Sequence, residues 1–191
     1  MFFGYSRIKD ICTYIFLHKK IRKNGAVKKF VMRPQWEEAA RWYDRRRQAG
    51  GWPEEEWCAA YHYANCLHNS GHSWPEVMEA YLVAYEMRPS RLEPLLPLCR
   101  ALRQMGRFHT IYALARPVLS APYPKDILFI EKAVYAYDLL MEYAIACYWV
   151  GQHQEAVRLN EQLLAMSDLP ENYRLSAARN RDLSLAMLAN A

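Results

Sequence analysis

The side chains with the most chemistry to offer fall in one helical stretch. Cys58, His62 and Cys66 recur at every fourth position, with His68 and His72 close behind. Two ligands at i, i+4 on one helix face can share a metal ion. Three of them spread over eight residues cover about 12 Å of helix rise and cannot all reach one ion. The spacing therefore reads as a small-residue packing stripe, and neither a metal nor another cofactor is expected. Glu54, Glu55 and Glu56 are consecutive, so on a helix they fan apart and cannot face one substrate. Gly-x-Ser-x-Gly, a phosphate-binding glycine loop, His-Glu-x-x-His and Asp-x-Asp are all absent. No catalysis is expected of this chain by itself.

Binding is the better expectation. Arg100 and Arg103 share a helix face at i, i+3, a spacing that lets two guanidinium groups hold a carboxylate on a partner tail. They stand on the first helix of a helical pair, where Gln104 follows. His62, Asn65 and Asn69 occupy the first helix of the preceding pair. In stacked helical pairs the first helix tends to line the concave surface, which makes these six residues the candidate groove for a protein partner or peptide tail. The Arg91–Glu93 pair beside Pro94 reads instead as a turn-fixing contact.

The elements that position them follow from apolar periodicity and from glycine and proline punctuation. Trp36, Ala39, Ala40 and Tyr43 mark a helix over 35–48, with Arg45, Arg46 and Arg47 at its negative end. A second helix runs from Pro53 to about Asn69 and a third from Trp74 to Met87. Residues 89–122 form two helices joined at Met105-Gly106-Arg107. The stretch 126–135 is ambiguous between strand and helix. Helices then run over 136–150, 155–166 and 171–188. Three units repeat the order helix, glycine, helix, proline: Gly71 with Pro89, Gly106 with Pro122, Gly151 with Pro170. The glycines stand 35 and 45 residues apart. The first step matches the roughly 34-residue period of tetratricopeptide repeats, and the second matches it with an insertion of about 11 residues, which 123–133 would supply. The expected fold is all-α, a tetratricopeptide-like solenoid of helical hairpins.

Charge divides the chain. Residues 1–33 carry nine Lys or Arg against Asp10 alone, while the net charge of the whole is +5, so the remainder is mildly acidic. The division expected is a basic N-terminal arm over 1–34 and a helical repeat domain over 35–191. Lys19, Lys20, Arg22 and Lys23 beside the apolar run 11–17 could meet an anionic membrane surface. Nucleic acid is not expected, because the arm lacks basic residues interleaved with exposed aromatics on a folded face. Five cysteines without a Cys-x-x-Cys pair read as reduced core residues of a cytoplasmic protein. The apolar run at 11–17 is too short to span a bilayer and is followed by no small-residue cleavage site.

Several stretches also resemble a known family. Gly50-Gly51-Trp52-Pro53-Glu54-Glu55-Glu56-Trp57, Ala80-Tyr81-Leu82, Arg88-Pro89-Ser90-Arg91-Leu92-Glu93-Pro94-Leu95, Asp126-Ile127-Leu128-Phe129-Ile130-Glu131 and Glu142-Tyr143-Ala144-Ile145-Ala146 with Tyr148-Trp149 and Gly151 are similar, in order, to the tetratricopeptide-like helical region that follows the catalytic domain in some bacterial family 2 glycosyltransferases. The resemblance spans about residues 36–185. It implies a non-catalytic helical module for protein–protein interaction, associated with a glycosyltransferase catalytic domain. Two alternatives stand beside it: a truncated fragment of such a glycosyltransferase, and a membrane-surface adaptor acting through the basic arm.

Overall fold

The computed structural model describes residues 26–190, with side-chain surroundings from residue 35 onward. Among the described residues every regular element is helical. In chain order these are α1 (Ala26–Gln48), α2 (Pro53–Ser70), α3 (Trp74–Met87), α4 (Leu95–Gln104), α5 (Phe108–Ala115), a 3₁₀ turn (Arg116–Val118), a π-helical turn (Val134–Asp138), α6 (Leu139–Trp149), α7 (His153–Leu164) and α8 (Glu171–Ala189). The all-α expectation is met. α1 continues through Pro34, so it crosses the division at 34/35 instead of starting after it. A proline inside a helix removes one backbone donor, and the bonds on either side carry the helix past it. The arm residues Lys19, Lys20, Arg22 and Lys23 lie outside the described residues.

The three glycine turns share one geometry. Gly71, Gly106 and Gly151 adopt φ values of 80°, 70° and 80°. After each, the next N–H donates back to the carbonyl five residues earlier: His72 to Leu67 at 3.1 Å, Arg107 to Leu102 at 2.9 Å and Gln152 to Cys147 at 2.8 Å. Each glycine N–H in turn donates to the carbonyl three residues before it. This is the Schellman arrangement, which satisfies the last carbonyls of a helix and reverses the chain. Only a residue without Cβ holds such a φ cheaply, as Gly106 does here.

The buried register repeats with the turns. Eleven, seven and four residues before each glycine lie Ala60, Ala64 and Leu67 in the first unit, Leu95, Cys99 and Leu102 in the second, and Leu140, Ala144 and Cys147 in the third. All nine are buried. Those spacings place one stripe on one helix face, so the first helix of each unit turns the same side inward. The substantial packing joins helices adjacent in the chain or next but one, as α4 with α6 and α6 with α8. Helix starts are marked by local chemistry. Pro53 opens α2, with Glu54, Glu55 and Glu56 in its first turn. Ser73 and Glu76 close a capping box at α3, the Ser73 N–H donating to Glu76 Oε2 at 3.1 Å.

Residues 121–131 form a strap without regular structure. It returns across the start of α2 and the 88–94 connection. There it is held by side chains in place of a sheet, as described next.

Candidate functional site

Two polar clusters bring together groups far apart in the chain. The first lies under the strap. Arg91 and Glu93 are both fully buried and pair at 3.0 Å. The Arg91 guanidinium stands 3.8 Å from the centroid of the Trp57 ring, a cation–π contact of about 2 kcal/mol where water is excluded. Its second arm donates to Asp126 Oδ2 at 3.0 Å. Arg88 Nε donates to the same oxygen at 2.6 Å. Glu93 also accepts from the Tyr135 hydroxyl at 2.7 Å and from the Glu131 N–H at 3.2 Å. Glu54 Oε1 accepts from the backbone N–H groups of Ile127, at 2.7 Å, and of Leu128. Tyr61 donates to Glu131 at 2.9 Å.

The electrostatics follow from this geometry. Hydrogen bonding to Arg88, and then to Arg91, holds the Asp126 carboxyl below its usual range, against the cost of burial. Burial works against the charge on Arg91, yet Glu93 and Asp126 outweigh it and hold the guanidinium above its ordinary value. The reading of Arg91–Glu93 as a turn-fixing pair therefore describes only part of what they do. They also anchor a strap more than 30 residues away. Glu54 meanwhile supplies the strap with an acceptor as well as a favourable charge at a helix start.

The second cluster lies between α4, α6 and α8. Arg100 donates to Asp138 Oδ1 at 2.8 Å and to the Tyr173 hydroxyl at 3.2 Å. Arg103 Nε donates to Glu142 Oε2 at 2.8 Å. Tyr173 also donates to Asp138. Burial, followed by that bond to Asp138, pushes the Tyr173 phenol up to about 12. The carboxylates that Arg100 and Arg103 hold thus belong to the chain itself. Both arginines nevertheless stay partly open, with 42% and 40% of their side-chain surface exposed. Asp138 and Glu142 were not singled out as site residues. Their i, i+4 spacing, opposite an Arg pair at i, i+3, is the signal that could have found them.

The six candidate groove residues fall into two sets with different partners. Arg100 and Arg103 meet around Glu142, and Gln104 is exposed beside them. The other three serve α2 and its neighbours. Asn65 accepts from the Tyr81 hydroxyl at 2.9 Å, and Asn69 donates to the Asn65 carbonyl at 2.6 Å. His62 packs among Tyr43, Tyr61 and Phe129, with Nε2 buried and unpartnered. Burial, then the charge of Arg91, lowers its pKa to about 4, so it is neutral at pH 7.

The Cys58–His62–Cys66 stripe lies inward. Both thiols are buried, and burial pushes each up to about 12. Burial likewise raises Cys99 to about 12 and Cys147 to about 11, so all four thiols stay protonated at neutral pH and are poor nucleophiles. The arginines at the end of α1 are engaged as well. Arg46 pairs with Glu55 at 2.6 Å, Arg47 pairs with Asp44, and Arg45 stands over the Trp42 ring. No helix among the described residues is long and apolar enough to cross a membrane. Comparison of the chain with protein-family models, with characterised proteins and with solved structures finds no match.

Proposed function

We propose that this chain is a non-catalytic, tetratricopeptide-like helical repeat module of the cytoplasm. In this reading it mediates protein–protein contact in association with a glycosyltransferase. The observation that carries it is the recurrence of one turn and one buried register in three successive units. Units that pack chiefly on their neighbours form an extended scaffold, whose front is available to a partner. The contact surface centres on Arg100, Arg103 and Gln104. Asp138 and Glu142 hold the two guanidinium groups in fixed directions, and the open edges of those groups still have N–H donors to give. Holding a side chain in place before binding reduces the ordering cost of recognition. His62, Asn65 and Asn69 make their contacts with Tyr43, Tyr81, Phe129 and α2 itself.

The test is a photo-crosslinking amino acid placed at Gln104, with Arg158 on α7 as a control position exposed elsewhere on the chain. A discrete adduct at Gln104 that is absent at Arg158 is the expected result, and identifying it decides whether the partner is a glycosyltransferase. Arg103→Glu should then weaken the purified complex at least about tenfold, as loss of a charged contact does. Equal labelling at both positions, or none at either, would sink the reading.

A further inference from the structure

The strap carries apolar side chains that the fold leaves in water. From Tyr123 to Glu131 exposure alternates: Tyr123, Lys125, Ile127, Phe129 and Glu131 are exposed, though Glu131 also reaches in to Tyr61, while Pro124 is buried and Asp126, Leu128 and Ile130 are half-buried. Ile127 is 77% exposed, Tyr123 49% and Phe129 43%. Their backbone is not free to fold them away. Glu54 holds the N–H groups of residues 127 and 128, Arg91 takes the Phe129 carbonyl at 3.3 Å, and Asp126 is clamped by two arginines. Phe129 itself sits at φ 48°, a conformation that a bulky residue adopts only when its surroundings impose it. A buried ionic clasp thus holds Ile127 outward, next to a Phe129 ring that meets His62 edge-on at 6.1 Å and leaves its other edge exposed.

We infer that this ridge is a contact for an anionic lipid surface, with Ile127 entering the acyl boundary and the exposed edge of Phe129, whose ring also packs on His62, beside it. Lys125 and Lys132 flank the apolar pair, are exposed, and form no ion pair among the described residues. They are placed to meet lipid phosphates on either side. Tyr123 packs edge-on against Tyr135 at 5.3 Å and carries its phenol at the base of the ridge, suited to the headgroup level. Trp52 is 43% exposed two residues before Glu54, at the same corner of the fold. The size of the patch favours lipid over a protein. A stable protein interface needs about 800 Å² from each partner, more than two or three side chains on a ridge supply. A bilayer needs only an apolar wedge and a second, electrostatic signal. The N-terminal 33 residues, with nine basic side chains against one acid, offer that second signal.

The inference is independent of the repeat-scaffold reading, and its failure leaves that reading intact. The experiment is co-sedimentation of the full chain with phosphatidylcholine vesicles, with and without phosphatidylglycerol. Binding is expected only to the anionic vesicles. Ile127→Asp should weaken it about tenfold or more, and Lys125→Glu with Lys132→Glu should weaken it further at low salt. Both variants change exposed side chains, so an unaltered thermal transition by circular dichroism shows that they fold. Charge reversal at Lys19, Lys20, Arg22 and Lys23 in the full chain should leave residual binding that Ile127→Asp still reduces. Three outcomes overturn the inference: no binding to anionic vesicles, binding untouched by Ile127→Asp, or equal binding to neutral vesicles. If Ile127→Asp instead disrupts only a complex with an acidic protein, the ridge is a protein contact.

Discussion

His62 shows what burial does to a single side chain. Its ring is half-buried among aromatic side chains with Nε2 cut off from water, and the charge of Arg91 adds to the cost of a second cation, so its pKa falls from 6.5 to about 4. In the unfolded chain the same imidazole takes up a proton near its ordinary value, so protons bind preferentially to the unfolded state. The stability this neutral histidine permits is complete above about pH 6.5 and is lost as pH falls towards 4. Urea unfolding should show a loss of about 1–3 kcal/mol across that window. His62→Phe, which keeps the ring and removes the titration, should flatten the profile there. Equal slopes for wild type and variant would show that other groups govern this range. The sequence placed His62 on a partner-facing groove because a polar residue on a first helix reads as a front residue. Its neighbours Tyr43 and Phe129 come from elements that helical periodicity cannot bring together.

Asp126 belongs to the scale of the element, because what it stabilises is the whole strap. Its carboxylate completes the shell around Arg91, whose guanidinium has no water to turn to. Asp126→Asn keeps the shape and removes the charge, leaving a buried cation with one carboxylate in place of two. Breaking a buried pair in this way costs about 3 kcal/mol, and urea unfolding at pH 7 should register it. Lys125→Gln, one residue away and exposed, should stay within about 0.5 kcal/mol of wild type. A loss of the same small size for Asp126→Asn would show that Glu93 alone suffices for Arg91. As pH drops below the carboxylate range, wild type should lose the contribution of this pair too, because the folded pKa of Asp126 is the lower one. From sequence, this stretch was an insertion of undecided conformation. It carries neither a 2-residue nor a 3.6-residue apolar period, because side chains from α2 and the 88–94 connection bind its backbone where a ladder or helix would otherwise do so.

At the scale of the molecule, contacts between neighbours predict that damage stays local. Leu163 in α7 is fully buried, and Leu163→Ala should cost about 2–5 kcal/mol. In a structure stabilised unit by unit, hydrogen exchange should quicken in α7 and α8 while α2 and α3 keep most of their protection. Uniform acceleration across all helices would mean that the molecule unfolds as one cooperative body, which speaks against repeat-like energetics.

The helices, their turns and the inward stripes were legible in the linear chain, since each depends on residues within one or two turns of one another. α3 runs from Trp74 to Met87, with Pro75 and Pro89 marking its limits in the chain, and the three glycine turns needed only a residue free to adopt positive φ beside a stripe of period 3.6. That Arg100 and Arg103 share a helix face follows from their spacing, but the carboxylates they hold do not. Tertiary structure alone decided where the charges go. Arg91 meets Asp126 across 35 residues, Arg103 meets Glu142 across 39, and Glu54 meets the strap across 73. Local periodicity carries no information about such pairings. Which carboxylate an arginine finds depends on which elements packing brings within a few ångströms and shields from water.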